Sequence, residues 1–289
     1  MLHADQLKAA LLQRVGMRAD ITAAKIDSQL AKVPSDERDS WVQHLVNSPP
    51  QSPDWQAFIE PFLIHETYFF RHENQLEFLA SKVLPALLEE RLKSGRHEFR
   101  IWCAACSSGE EAFTAALLLR DAIQGSREAA KIDWRISVTG TDLSAEVLLK
   151  ARTGEYHASA GLNSFRDVPA FAKHHFPSIF QRAEKTWRPD DALKRTVHFH
   201  QRNLVTDPAP VSDVDLVMCR NVLIYLDEQS VRRSIETIHG ALRPGGVLVL
   251  GPADMLKHAD GWELLTNQKA MFWRKSASSA HAQATSPQR

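Results

Sequence analysis

The sequence is short of cysteine, of net charge and of long apolar runs, and each shortage excludes something. Three cysteines in 289 residues are an odd number and too few for a disulfide framework. Thirty-five basic residues are balanced by thirty-five acidic ones. A chain with that balance has no overall electrostatic footprint for duplex nucleic acid or an anionic membrane, so nucleic acid is not an expected partner. No apolar run approaches the ~20 residues that cross a bilayer, so direct membrane insertion is not expected either. The opening MLHADQLKAALLQRVG mixes charged with apolar residues and never forms the apolar core of a signal peptide. The expected location is the cytoplasm.

What is present is enough for a sizeable core, with 44% apolar and 24% charged residues. Residues 1–80 carry helical patterning: Leu7, Leu11, Leu12 and Val15 recur at helical spacing, as do Ile21, Ile26, Leu30 and Val33. NSPPQSPDW, residues 47–55, is a turn-rich break. From Phe99 the pattern alternates. FRIWCAA, DWRISVTGTD, TVHFHQRN, VDLVMCRN and GVLVLGPA predict strands, with helices such as EEAFTAALLLRDAI and QSVRRSIETIHGAL behind them. Short apolar strands separated by helices predict a mostly parallel sheet covered on both faces. WELLTNQ and AMFWRK predict a closing hairpin, and Pro244-Gly245-Gly246 a turn ahead of the last long strand. Residues 153–195 hold too many aromatics, prolines and charges for a simple crossover, so a small inserted subdomain is expected there. The division is therefore 1–80, helical and connecting; 81–275, α/β with its insert; and 276–289, a Ser/Ala/Gln-rich disordered tail or linker.

IWCAACSSGEE, residues 101–111, admits two readings. Cys103-Ala104-Ala105-Cys106 has the spacing of a thiol–disulfide oxidoreductase. That scaffold also needs a proline loop facing its cysteines, and no proline occurs between Pro85 and Pro169. Small buried cysteines that let a turn pack are the alternative. The second reading is a strand–turn–helix that holds a nucleotide-like cofactor. Ala104, Ala105, Ser107, Ser108 and Gly109 are small and let backbone approach a bound molecule. Asp142 ends the next strand, 33 residues beyond Gly109, where an acidic residue accepts hydrogen bonds from ribose hydroxyls or caps the following helix. CRNVLIY, residues 219–225, puts polar residues at a third strand end.

HETYFFR (65–71), RIWCAACSSGEE (100–111), GTDLS (140–144), NLV (203–205), DLVMCRNVLIY (215–225) and LRPGGVLVLG (242–251) together resemble the CheR-type chemotaxis receptor methyltransferases, over nearly the whole chain. The resemblance implies an α/β fold: a Rossmann-like S-adenosylmethionine-dependent methyltransferase domain, an N-terminal all-helical domain and a small inserted β-subdomain. It implies methyl transfer from S-adenosylmethionine, which leaves S-adenosylhomocysteine, to glutamates on the cytoplasmic helices of a chemoreceptor or related signalling receptor. Thr67 and Arg71 would reach the cofactor from the connecting segment, Glu110 and Asp142 from the sheet loops. Asn203 and Leu204 would border the adenine, and Arg220, Asn221 and Val222 would line the pocket further along. His65 stands where the family often has Asn and can donate from either ring nitrogen. A non-catalytic cofactor-binding adaptor that docks a signalling partner is the alternative function. A nucleic-acid or amino methyltransferase is disfavoured, because the loop after the central strand, Asn221-Val222-Leu223-Ile224, holds no proline.

The chemistry asks little of a base. A glutamate with a reference pKa near ~4.3 is already ionised at neutral pH, so the enzyme needs positioning and a dry pocket. Arg71 offers a fixed guanidinium fork for a carboxylate, against an ion pair with Glu73 or Glu77 as the structural alternative. Tyr225 orients the acceptor through its hydroxyl, or packs as a helix-start aromatic. Phe69 and Phe70 read as core or pocket wall. His198 and His200, and the pair His174-His175, show no converging third or fourth ligand in the sequence, so no metal is expected. A basic N-terminal helix is expected to dock acidic receptor helices, although Arg14, Arg18, Lys25 and Lys32 are offset by Asp20, Asp27, Asp36, Glu37 and Asp39. The C-terminal extension is a place for other signalling partners.

Overall fold

A computed structural model describes residues 2–158, 164–180, 185–267 and 270–277. Four helices come first: α1 (Leu2–Val15), α2 (Ala19–Ala31), α3 (Arg38–Asn47) and α4 (Pro53–Ile59). Leu7, Leu11 and Val15 stand four apart, so one face of α1 is apolar and buried. The turn-rich break ends α3 and starts α4. There the Ser52 hydroxyl accepts from the Trp55 amide at 3.3 Å, and Pro53 occupies the first turn, where its missing N–H costs nothing. Leu7, Leu11, Ile26, Val42, Leu45, Trp55, Phe58 and Phe62 close a core that belongs to these helices.

Residues 63–72 then run without regular structure to α5 (Glu73–Phe78). A π-helical turn, Leu79–Val83, joins α5 to α6 (Leu84–Lys93). Pro85 has no N–H and its ring crowds the carbonyl four residues back; the wider turn accommodates it.

The sheet has seven strands in the order β5-β2-β1-β6-β7-β9-β8. β1 (Glu98–Ala104), β2 (Arg135–Asp142), β5 (Val197–Gln201), β6 (Val214–Cys219) and β7 (Leu242–Leu250) run parallel. β9 (Ala270–Lys275) lies antiparallel to β7, and β8 (Trp262–Asn267) antiparallel to β9, which is the expected hairpin. Every residue of β6 is buried, as a strand covered on both faces requires. β2 and β5 lie on one side of β1, and β6 and β7 on the other. The order therefore reverses between β1 and β6, and such a switch point opens a crevice beyond the carboxyl ends of the strands. The helices α7 (Glu110–Gly125), α8 (Ala145–Thr153) and α11 (Glu228–Ala241) form the layers on the sheet.

Between α8 and β5 the insert contains β3 (Tyr156–His157) paired antiparallel with β4 (Thr186–Trp187). A 3₁₀ turn, Ala170–His175, and two single-turn helices, α9 (Pro177–Phe180) and α10 (Asp191–Lys194), make up most of its other described structure. Among the described residues the insert's β-structure is this one antiparallel pair, and its aromatics build a cluster. Phe69, from the connecting segment, lies at the centre. Its ring sits 4.9 Å from Tyr156, 5.2 Å from Phe165, 4.9 Å from Phe176 and 5.1 Å from Trp187.

One further expectation changes. Pro244-Gly245-Gly246 lies inside β7, where the register against β6 shifts between Val214 and Leu216. Gly245 has φ +76°, so the glycines make a bulge and not a turn. His198 and His200 are exposed, because β5 is an edge strand. Of the disordered tail or linker expected at 276–289, all but residues 276 and 277 lies outside those described.

Candidate active site

Loops from four neighbouring strand ends meet the connecting segment around one cavity. β1 contributes Ala105, Cys106 and Ser107; β2, Asp142 and Leu143; β5, Arg202 to Val205; and β6, Arg220, Asn221, Val222 and Tyr225. Residues 62–68 and Arg71 cover it, and Val15 and Met17 of the helical part complete the wall. The helical part is sewn on here: the Arg18 amide donates to the Tyr225 carbonyl at 3.1 Å and the Asp227 amide to the Gly16 carbonyl at 2.8 Å.

The backbone is unusual at this place. Among the described residues seven non-glycines have positive φ, and five of them border the cavity or its cover: Phe70, His72, Ala105, Ser107 and Asn221. Such conformations cost about 1–3 kcal/mol each and persist only where their surroundings over-determine them. Asn221 shows how. Its amide donates to the buried Asp254 carboxylate, which also accepts from Gly251 at 3.0 Å and Ile224 at 3.3 Å. Its side-chain oxygen lies 3.0 Å from His72 Nε2. A Cβ on Gly251 would meet the Asn221 nitrogen at 2.6 Å, so only glycine fits there.

Ten of the eleven sequence-predicted site residues line the cavity: His65, Thr67, Arg71, Asp142, Asn203, Leu204, Arg220, Asn221, Val222 and Tyr225. Glu110 is not among the lining residues. Its carboxylate is buried and accepts from Ser108 Oγ at 2.8 Å and Ser164 Oγ at 2.7 Å. The next residue, Glu111, faces the cavity instead. Gly109, with φ +94°, also points away. A Cβ there would meet Tyr156 Oη at 2.8 Å and Phe199 Cζ at 2.9 Å, so this glycine permits packing and not approach to a ligand.

Several lining side chains are already engaged by the protein. Asp142 accepts from the Ser107 amide at 2.8 Å and the Ser144 amide at 3.0 Å; each oxygen keeps a lone pair. Burial pushes its carboxyl up from the ordinary value, against those two amides. The helix cap is Ser144 and not Asp142. His65 Nε2 is held 2.7 Å from Glu60, which leaves only Nδ1 for a ligand. Asn203 spends its amide nitrogen on the Arg14 carbonyl at 2.6 Å and its oxygen on the Val205 amide at 2.9 Å. Arg220 is buried between Gln75 at 2.7 Å, Glu111 at 3.1 Å and the Arg71 carbonyl. Burial lowers its pKa, against the opposing pull of Glu111. Tyr225 is half-buried at the end of a 3₁₀ turn, and burial raises its hydroxyl.

Two polar atoms of cavity-lining residues have no partner. Arg71 Nε and Glu111 Oε1 are buried and make no hydrogen bond. Arg71 reaches back to the Glu66 carbonyl at 2.6 Å, and not to Glu73 or Glu77. Glu111 is pushed up by burial, against Arg220 and Arg71. A buried donor and a buried acceptor left open on one cavity are costly unless a ligand meets them. The cysteines are different. Cys103, Cys106 and Cys219 are free and buried, and burial pushes every thiol well up. That is the reverse of an activated thiolate.

Four site residues escaped the sequence analysis. Asp254 follows a strand end, in GPADM, and polar residues there are a usable signal. Gln75, His72 and Glu111 carry no such local mark, because their partners lie 175, 149 and 109 residues away.

A doubly wound sheet with its cleft at the switch point defines an α/β protein that binds its ligand at the strand ends. The family described as CheR methyltransferase, SAM binding domain, matches residues 65–272. The chemotaxis protein methyltransferase of Borreliella burgdorferi is 32% identical over 69% of this chain and 67% of its own length. Chemotaxis protein methyltransferase 1 of Pseudomonas aeruginosa is 30% identical over 76% and 77%. The probable biofilm formation methyltransferase WspC of the same organism is 32% identical over 86% of this chain and 56% of its own. The chain belongs to the CheR methyltransferase family and is an S-adenosylmethionine-dependent methyltransferase.

Proposed function

We propose that this protein methylates glutamate side chains on the cytoplasmic helices of a chemoreceptor or a related signalling receptor, and that it works in the cytoplasm. The relatives named as chemotaxis methyltransferases support the receptor class. Among the described residues no helix is long and apolar enough to cross a membrane. The single observation that carries the site assignment is the pair of unpartnered atoms, Arg71 Nε and Glu111 Oε1, on two residues that line one cavity. They suit a ligand that ends in both a carboxylate and an ammonium group, as the methionine part of the cofactor does.

When bound, S-adenosylmethionine supplies a sulfonium-activated methyl group. Asp142 takes the ribose hydroxyls on its free lone pairs. Asn203 and Leu204 border the adenine; the Asn203 backbone is tied to Asp207, and its side-chain NH₂ keeps one N–H beyond the Arg14 carbonyl. Thr67, His65 through Nδ1, and Val222 close the remaining walls. Arg220 and Asn221 hold the loop beyond β6 in its strained shape. The acceptor glutamate arrives ionised, so no residue has to remove a proton. Arg71 fixes a carboxylate with its guanidinium fork, and Tyr225 orients the acceptor through its hydroxyl. The cover of residues 62–72 and Met17 keeps water out while the chemistry occurs. We assign residues 1–80 to a helical and connecting unit and 81–275 to the catalytic unit, with the insert at about 153–195.

The test is incubation with methyl-labelled S-adenosylmethionine and a receptor cytoplasmic fragment. Label that is released by base, and lost when the acceptor glutamates are changed to alanine, supports the proposal. Base-stable label, or label that persists on the alanine fragment, refutes it.

A further inference from the structure

Away from the cleft, the consecutive histidines of the insert find the third ligand that the sequence did not show. Asp121 lies on α7, 53 residues before His174. His175 Nε2 is 2.9 Å and His174 Nε2 3.6 Å from the same carboxylate oxygen, Asp121 Oδ2. One donor atom from each residue lies within 4.8 Å of the others. A tetrahedral zinc ion with bonds of 2.0–2.1 Å holds its ligand atoms about 3.3 Å apart. The observed spacings fall on either side of that value.

We propose that Asp121, His174 and His175 form a binding site for a divalent transition metal of the zinc class, which fastens the insert to α7. Three features beyond the distances support it. Consecutive residues of a 3₁₀ turn ordinarily point about a third of a turn apart. Here both rings face the same carboxylate, with centroids 3.9 Å apart. Next, His174 Nδ1 is 2.8 Å from the Phe171 carbonyl. A carbonyl only accepts, so Nδ1 carries the proton and Nε2 presents its lone pair. Metal-binding histidines are commonly oriented in this way. Lastly, the site is anchored on one side and open on the other. The His175 side chain is 3% exposed, while Asp121 is 38% and His174 63% exposed. That leaves an entry path and a fourth position for water. Arg120, next to Asp121 on α7, is paired with Asp190 at 2.7 Å.

Two imidazoles and a carboxylate suit zinc better than magnesium or calcium, which prefer all-oxygen shells. The site joins α7, whose first turn carries Glu111, to the turn on which the Phe70 ring rests, stacked 5.8 Å from His175 at 11°. Phe70 immediately precedes Arg71, so the ion would stiffen the cover of the cavity without touching the cofactor.

The test uses the untagged, chelator-treated full chain, titrated with Zn²⁺ against a chromogenic zinc chelator. One equivalent is expected to bind. H174Q and D121N, both at partly exposed positions, are expected to bind it at least tenfold more weakly. In a second readout, Zn²⁺ raises the melting temperature of the parent protein and leaves that of H174Q unchanged. No stoichiometric binding by the parent, or equal affinity in the parent and both variants, overturns the proposal.

Discussion

Changing Asp254 to asparagine separates the architecture of the cleft from contact with the ligand. Asp254 is 1% exposed and lies outside the cavity lining. Its two oxygens take the amides of Asn221, Gly251 and Ile224. Asparagine keeps one acceptor oxygen and turns an NH₂ group toward at least one of those donors. A hydrogen bond to a charged acceptor contributes about 1.5–3 kcal/mol, and a buried amide left unpaired costs about 1–3 kcal/mol. One or two bonds are lost, so unfolding free energy should fall by about 3 kcal/mol. The same change releases Asn221, whose φ of +59° costs about 1–3 kcal/mol to hold. Once relaxed, the loop must be re-strained each time the cofactor binds. At 1.4 kcal/mol per factor of ten, S-adenosylhomocysteine should bind D254N about ten- to a hundredfold more weakly. Urea denaturation checks the first figure and isothermal calorimetry on the folded variant the second. Should folded D254N bind within threefold of the parent, Asn221 is not held in its binding shape by Asp254, and the reasoning fails.

Other expectations follow from the same geometry. R71K keeps the charge but loses the guanidinium fork, and is expected to bind S-adenosylhomocysteine at least tenfold more weakly with an unchanged melting temperature; calorimetry beside a thermal scan checks both. Burial raises the Glu111 and Asp142 carboxyls. Ligand binding, which uses their ionised forms, should therefore fail on the acid side at a pH above the ordinary carboxylate range near ~4. The folding contribution has the opposite sense: the same raised pKa values favour the folded state most below the unfolded pKa, and that advantage disappears as pH rises through the folded values. An acid limb of binding at the ordinary carboxylate position would contradict the assignment. Asp215 is fully buried and holds Arg91 Nε at 2.6 Å and Arg243 Nε at 2.6 Å. D215A removes one carboxylate from each guanidinium, leaving Arg91 with Asp213 at 3.3 Å and Arg243 with Glu90 at 3.1 Å, and should lose about 3 kcal/mol, read as a shifted urea midpoint at constant slope.

Much of the cleft was legible because strand ends have a local grammar. Apolar runs that stop at Asp142, Arg220 and the Asn203 loop announce both the strand and its polar terminus, and those residues converge on the cavity. The aromatic excess of residues 153–195 was legible as a packing unit, but not as a cluster around Phe69. What failed was direction. Adjacent residues Glu110 and Glu111 open the same helix, and helical rotation sends one to Ser108 and Ser164 and the other to the cavity. Gly109 looked like a ligand-approach glycine and proved to make room for Tyr156 and Phe199. Pro244-Gly245-Gly246 looked like punctuation and is a bulge within a strand, because the parallel partner β6 continues beside it. Asp121 and His174-His175 have no pattern linking them, since only the fold carries α7 past the insert.

Phe69 has a consequence for how relatives of this protein diverge. Its ring is enclosed by Tyr156, Phe165, Phe176 and Trp187, while Thr67 and Arg71, two places away on either side, line the cavity. An exchange of inserts between two relatives is therefore never a purely peripheral graft. The donor segment must supply a socket for that one ring, or the strip of chain that covers the cavity loses its mooring.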